Sequence, residues 1–333
     1  MRRLLQKIFR PFFVWLAHKF SADPKRELVF KSLSKLYRAI SDNKSRKGIV
    51  IPIDITKDSF IIFSDQHKGN KDHADDFKNN EANYIAALNY YFKERYRFIN
   101  LGDGEELWKY PATEVIKNYP DALKAEANFD FLNKYYRTFG NHDLLWKNKL
   151  DVTLLLKDIF KMPLPVYEGL ILRGMLNKRF SIFLTHGHQG DKMSDNNALS
   201  TWAVAHLWAP IQRYLQVNVN TPANDFYLRD KHNKLMYDWS SHKNDTILIT
   251  GHTHKPVFAS GKYNKNFDYS ISDNESVKPS YFNTGCCCYN DGDITGIEID
   301  KGDIRLVKWY TEHNEVKKMI LEEKKLEEIF KTL

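Results

Sequence analysis

Cysteine is scarce in this 333-residue chain and spaced for no structural role. All three cysteines are consecutive, Cys286-Cys287-Cys288, which suits neither a disulfide framework nor a spaced zinc motif. They read as buried free thiols of a reducing compartment. Long apolar runs are also missing. The first twenty residues, MRRLLQKIFRPFFVWLAHKF, set Arg2, Arg3, Lys7, Arg10 and Lys19 among Leu, Ile, Phe and Trp. Their longest uncharged stretch, Pro11 to Ala17, falls far short of the roughly 20 apolar residues that a spanning helix needs. The segment also lacks the apolar core and small-residue cleavage site of a signal peptide. There is no internal repeat and no low-complexity tract. Lys and Arg are not gathered into a stripe interleaved with aromatics, which argues against a nucleic-acid partner and a nuclease.

What is present points to a folded protein with an anionic ligand. Hydrophobic residues make up 42% and aromatics 14%, enough for one large core with insertions or one domain plus a lid. Lys and Arg outnumber Asp and Glu by 50 to 42, a net +8, which favours phosphate compounds, nucleic acid or acidic lipid surfaces. Residues 1–20 fit two readings: an interfacial helix on an anionic membrane, or a helix packing its aromatics on the parent domain. Pro11 kinks either one. The expected location is the cytoplasm, with peripheral contact to the inner membrane face.

The chain is organised around Phe139-Gly140-Asn141-His142-Asp143, where a tight glycine turn presents an amide, an imidazole and a carboxylate in succession. Alone, that sequence could equally be a turn capping the next helix. Four other stretches share its design: Ile61 to His67, Phe98 to Asp103, Ile182 to His188, and Ile247 to His254. Each is a short apolar run, read as a buried strand, that ends in Asp or His and usually Gly. Five strands are thereby expected to deliver oxygen and imidazole groups to one edge of a sheet, where ligands bind in open α/β folds.

Residues 1–48 read as an N-terminal helical extension, with an amphipathic helix over Lys25 to Asp42. Residues 49–310 read as the main domain, starting with an edge strand at Ile49 to Ile55 that tolerates Pro52. Aromatic helical pattern dominates residues 190–245, a helical insertion and candidate lid. Ser280 to Thr284, Ile294 to Ile299 and Ile304 to Trp309 alternate as antiparallel strands, with a hairpin turn at Asp300 to Asp303. Residues 311–333 read as a charged C-terminal helix.

Two Asp, one Asn and four or five His on one edge form a mixed oxygen and nitrogen set. It suits Mn, Fe, Zn, Co or Ni, whereas calcium wants oxygens alone and structural zinc prefers thiolates. One carboxylate can bridge two ions, so seven side chains supply four ligands to each of two metals.

Asp65-x-His67, Gly102-Asp103, Gly140-Asn141-His142-Asp143, His186-Gly187-His188 and Gly251-His252-Thr253-His254 resemble, in order, the five signature blocks of the calcineurin-like metallophosphoesterases. Asn283-Thr284-Gly285 looks like that family's continuation. The resemblance spans roughly residues 58–300 and implies an α/β fold: a four-layer αββα sandwich of two mixed sheets flanked by helices. It implies that Asp65, His67 and His254 hold one divalent transition metal, most simply Mn, that Asn141, His186 and His252 hold the other, and that Asp103 bridges them. Such a pair acidifies a shared water and clamps a phosphate oxygen, hydrolysing a phosphomonoester, phosphodiester or pyrophosphate. His142 would act on the leaving oxygen, oriented by Glu106, which stands where the family commonly has Asp. Asp143 would support the site, and His188 would either support it in the same way or, with Asn141, meet substrate.

The Gly102-Asp103-x-x-Glu106-x-Trp108 stretch, the last block and the insertion also look like the branch containing UDP-2,3-diacylglucosamine pyrophosphatases of lipid A synthesis. Many members of that branch have Arg where His142 stands. The expected substrate is therefore a phosphate-containing small molecule or a lipid-linked one. The alternative of another class is a non-catalytic scaffold on the same fold.

Overall fold

The structure is a computed structural model that describes residues 24–43, 46–175, 180–190, 226–258 and 278–333. In chain order its elements are α1 (Arg26–Ser41), β1 (Gly48–Ile53), β2 (Ser59–Phe63), α2 (Glu81–Lys93), β3 (Arg97–Leu101), α3 (Ala112–Asn118), α4 (Pro120–Phe131), β4 (Tyr135–Thr138) and a 3-10 turn (Leu144–Lys147). There follow α5 (Lys149–Leu156), β5 (Val166–Tyr167), β6 (Gly169–Gly174), β7 (Ser181–Thr185), α6 (Phe226–Ser241), β8 (Thr246–Thr250), β9 (Tyr281–Asn283), β10 (Ile294–Asp300), β11 (Asp303–Glu312), β12 (Glu315–Lys325) and α7 (Leu326–Thr332). No helix among the described residues is long and apolar enough to cross a membrane.

The strands form two mixed sheets, ordered β1-β6-β7-β8-β9 and β12-β11-β10-β2-β3-β4-β5. Alternation along each strand decides how they pack, because successive side chains leave opposite faces. Phe60 and Ile62 of β2, Ile99 and Leu101 of β3, Ile182 and Leu184 of β7, and Ile247 and Ile249 of β8 meet in one core between the sheets. The intervening Ile61, Phe63 and Phe98 face outward onto Tyr84, Leu88 and Tyr91 of α2 and Leu123 and Phe129 of α4. On the opposite side Ile171, Phe183 and Leu248 face Val29, Leu33, Leu36 and Ile40 of α1 and Met236 and Trp239 of α6. Two sheets face to face with helices outside both is the four-layer αββα sandwich.

This packing revises several expectations. The helix expected over Lys25 to Asp42 forms, but it is an integral outer layer of the sandwich rather than an extension. Its Val29, Leu33, Leu36 and Ile40 recur at helical spacing and are all buried. Residues 1–23, including the interfacial segment, lie outside the described residues. Of the helical insertion, 191–225 lies outside them too, and α6 packs on the five-stranded sheet opposite the inter-sheet core instead of standing free over a cleft. β9 runs parallel to β8 in the five-stranded sheet, not antiparallel to β10.

The expected helix over 311–333 is absent. In its place β11 and β12 form an antiparallel hairpin, and only Leu326–Thr332 is helical. His313 and Asn314 both take left-handed φ, 52° and 64°, the two-residue turn whose twist suits a hairpin. β12 is the edge strand of its sheet and none of its residues is buried; Lys and Glu along an edge oppose further pairing. Charge density in this segment mimics that of a solvated amphipathic helix.

Candidate metal centre

Three site loops follow β2, β3 and β4 of the seven-stranded sheet, and two follow β7 and β8 of the five-stranded sheet. The groups therefore gather where the ends of two sheets meet, rather than along the edge of one. The first two loops continue the parallel pairing of their strands. Asp65 N donates to Gly102 O (3.1 Å), His67 N to Asp103 O (3.0 Å), Lys68 N to Gly104 O (3.1 Å), and Glu106 N to Lys68 O (3.0 Å).

The loops are held in costly backbone shapes. Asp65, His67, Asp103, His252 and His254 all take left-handed φ, at 54°, 52°, 53°, 68° and 54°, a conformation that costs a non-glycine residue on the order of 1–3 kcal/mol and persists only where its surroundings over-determine it. Glycine is needed where loops touch. A Cβ on Gly140 would strike Asp103 Oδ1, and one on Gly251 would strike Ser64 Oγ and Asp65 Oδ2.

Each central carboxylate uses one oxygen for the scaffold and leaves the other facing inward. Asp65 Oδ2 accepts from His252 N (2.9 Å) and from the Ser64 hydroxyl. Its Oδ1 stands 3.2 Å from His254 Nε2 and 3.8 Å from His67 Nε2. Asp103 Oδ1 accepts from His142 N (2.8 Å), while Oδ2 stands 3.1 Å from His186 Nε2 and 3.7 Å from His67 Nε2. Asp65 Oδ1, Asn141 Oδ1, His186 Nε2 and His252 Nε2 are buried and make no hydrogen bond among the described residues. Buried polar atoms usually find partners; Asp65 Oδ1 lies 3.9 Å from His186 Nε2, and His186 and His252 offer donors within 4.8 Å of each other and of Asp103, so unpaired atoms gathered this closely fit a cation. Donor triads of Asp103, His186 and His252, of His67, Asp103 and His142, and of His67, His254 and Cys288 each lie within 4.8 Å of one another.

Electrostatics push these groups in opposite directions. Burial alone would raise Asp65, but His254 and His186 hold its carboxyl well below the usual range. Asp103 is lowered in the same way by His186 and His142 against burial. Burial would lower His186, yet Asp103 and Asp65 bring it up to about 9. His254, beside Cys286 and Asp65, is likewise raised against burial, to about 10. Burial, with His232 and His186 nearby, holds His252 well below its ordinary value.

His142 sits at the mouth of the cluster. Its Nδ1 is 2.8 Å from Glu106 Oε1, and its ring stacks on Trp108 at 3.9 Å and 23°. Burial is overcome at Glu106 by His142 and Lys109, so that carboxyl is held well below the usual range. Asp143 lies deeper, and its two oxygens accept from Gly140 N (2.6 Å) and Gly104 N (2.9 Å). It laces two site loops together and faces no open space. His188 is buried, its ring 5.5 Å from His186 and 6.3 Å from Phe139.

Several supporting residues escaped sequence reasoning. His232 of α6 donates from Nε2 to Gly187 O (2.5 Å) with its ring 5.1 Å from His252, and burial lowers it to about 4. Asn233 Oδ1 accepts from Thr253 Oγ1 (3.0 Å) and Tyr281 Oη (2.8 Å). Beneath the first three loops, Arg137 pairs with Glu105, which also accepts from Trp146 Nε1 (2.7 Å), and Lys68 bridges Glu105 (3.4 Å) and Glu126 (2.9 Å). Lys68 and Arg137 announce themselves only by following a site residue or sitting mid-strand.

The family model of the calcineurin-like phosphoesterases matches residues 59–256, more than half of the chain. The chain belongs to the calcineurin-like phosphoesterase family. That family binds a dinuclear metal centre, and the donors of this member can be divided between two ions. Similar solved structures include vacuolar protein sorting 29 from Cryptosporidium parvum, at 14% identity and a TM-score of 0.36, covering 80% of this chain and 98% of that one. A dimetal phosphatase from Danio rerio is 10% identical, with a TM-score of 0.33, covering 75% of this chain and 95% of that one. A single mutant of Vps29 from Entamoeba histolytica is 15% identical at a TM-score of 0.33, covering 79% and 98%. No curated protein matches the chain.

Proposed function

We propose that this calcineurin-like phosphoesterase hydrolyses a phosphoric ester or pyrophosphate at a dinuclear centre. The observation that carries the reading is the gathering beside Asp103 of buried Asp65 Oδ1, His186 Nε2 and His252 Nε2, none of which has a hydrogen-bond partner among the described residues. Asp65, His67 and His254 would hold one cation and Asn141, His186 and His252 the other, with Asp103 shared between them. When bound, the two cations supply an acidified water and a clamp for phosphate oxygens. His142, pinned by Glu106 and Trp108, would turn Nε2 toward the leaving oxygen and, with protons on both ring nitrogens, donate the Nε2 proton there while Nδ1–H stays on Glu106. Glu106 accepts from Nδ1–H, orients the ring and balances the positive charge.

The test is turnover of p-nitrophenyl phosphate and its bis ester by the full chain with Mn, Fe, Zn, Co or Ni added singly. Turnover that vanishes in Asp103→Asn supports the assignment. No turnover of either ester with any of the five metals would favour a non-catalytic scaffold. Manganese is the cation we expect to be most effective, as a borderline ion suited to mixed oxygen and imidazole donors.

A finer reading is a UDP-2,3-diacylglucosamine-type pyrophosphatase, favoured by Gly102-Asp103-x-x-Glu106-x-Trp108 and opposed by His142 where many of that branch have Arg. A panel of nucleotide, sugar-nucleotide and lipid phosphates separates it from general ester hydrolysis. The same reading puts the protein in the cytoplasm, with residues 1–20 touching an anionic membrane. Unchanged vesicle binding after deleting those residues would remove that part of it.

A further inference from the structure

The imidazoles whose Nε2 faces the centre differ in what holds the other nitrogen. His186 Nδ1 is 2.9 Å from the carbonyl of Leu101, and His67 Nδ1 is 3.3 Å from the Glu106 carboxylate. A backbone carbonyl and a carboxylate are the usual partners that orient a metal-binding histidine. His254 instead has thiols beside it: Cys288 Sγ lies 3.6 Å from Nδ1, and Cys286 also interacts with the ring. On its inner side His254 Nε2 stands 3.1 Å from His67 Nε2 and 3.2 Å from the unpartnered Asp65 Oδ1.

The cysteine loop is tied to this site by its backbone. Cys287 N donates to the carbonyl of Asp65 (3.1 Å), and Thr295 N donates to that of Cys286 (3.0 Å). Tyr289 Oη donates to the carbonyl of His254 (3.1 Å). Cys288 is therefore registered against both Asp65 and His254, and it is buried. None of this is explained by a core thiol that merely fills space.

We infer that Cys288 is a positioning residue for the first of the two cations: its sulfur accepts the Nδ1–H of His254 and so keeps the Nε2 lone pair turned toward Asp65 and His67. The inference rests on the dinuclear reading above. Without Cys288 the Nδ1–H would lose the sulfur aligned with it and keep only Cys286 nearby, the other tautomer would compete, and the ring could rotate away from the site. Losing such an outer partner typically costs about 10–100-fold in metal affinity.

The experiment titrates the metal-free full chain with Mn²⁺ alone and follows free Mn²⁺ by electron paramagnetic resonance. Wild type, Cys288→Val and Cys288→Ser are compared, each first shown to melt cooperatively. Valine keeps the volume and removes the acceptor; serine keeps an acceptor. Cys288→Val is expected to weaken one of two Mn²⁺ sites by about tenfold or more and leave the other unchanged, with Cys288→Ser recovering most of the loss. If Cys288→Val does not fold, Cys288→Ala, which also lacks the acceptor, takes its place. Wild type binding two Mn²⁺ with Cys288→Val unchanged overturns this inference alone, as does Cys288→Ser losing as much as Cys288→Val. Wild type binding no Mn²⁺ overturns the dinuclear reading as well.

Discussion

At the scale of single residues, His142 is distinguished by what surrounds it. It follows Asn141, whose amide oxygen has no hydrogen-bond partner among the described residues, yet its own Nδ1 is committed to Glu106 and its ring to Trp108. A group so held can move a proton without holding a cation. His142→Ala is therefore expected to lower kcat by about 10²–10⁴-fold while both Mn²⁺ equivalents stay bound, as read by metal analysis alongside turnover. Loss of one Mn²⁺ together with turnover would make His142 a ligand instead. The motif around Gly140 was legible in the sequence because it compresses several chemical groups into consecutive positions. Trp108 as the stacking partner of His142 was not, because stacking needs two rings brought parallel by separate loops.

At the scale of elements, the parallel strands β2, β3 and β4 end over a buried charge network, not an apolar floor. Arg137, fully buried in β4, pairs with Glu105 and lies 3.8 Å from Asp143, the residue that ties the Gly104 and Gly140 amides. Burial, together with Asp103 and Glu105, lifts Asp143 to about 7 against the pull of Arg137. Arg137→Met leaves Glu105 and Asp143 short of a cation in a dry interior, a loss that typically costs about 3–5 kcal/mol. Urea unfolding of the metal-free protein should show it; a loss below about 1 kcal/mol would mean that Lys68 and Trp146 compensate. The β11–β12 hairpin carries the opposite lesson. Its residues are as charged as a solvated helix, and only the paired left-handed residues His313 and Asn314 specify a reversal. Ser280 to Thr284 read correctly as strand, but its direction and sheet depended on β8 lying beside it.

At the scale of the molecule, the centre couples metal, proton and fold. In the metal-free protein His186 and His254 are raised from 6.5 to about 9 and about 10. A raised histidine contributes stability that is complete below its unfolded value and fades as pH climbs through its folded value. Cys286, paired with His254 and lowered from 9 to about 6, offsets the His254 part. The metal-free melting temperature is therefore expected to fall between pH 6.5 and about 9 as His186 loses its proton. Cation binding requires neutral imidazoles, so affinity for Mn²⁺ should rise over the same window and the Mn²⁺-saturated protein should resist that fall. A metal-free melting temperature that climbs across this range would contradict the sign of the His186 shift.

The sequence by itself determined the chemistry. Five apolar runs ending in Asp, His or Asn are local patterns, and a strand delivers whatever side chains its end carries. Those runs are apolar on both faces, so both sides of each strand had to be covered. Only the tertiary structure decided that the five endings divide between two sheets, that α1 is a layer of the sandwich, and that Arg137, His232 and Cys288 support the loops from behind. Such contacts join positions tens to hundreds of residues apart, and no local pattern encodes a distance between chain segments until the core has closed around them.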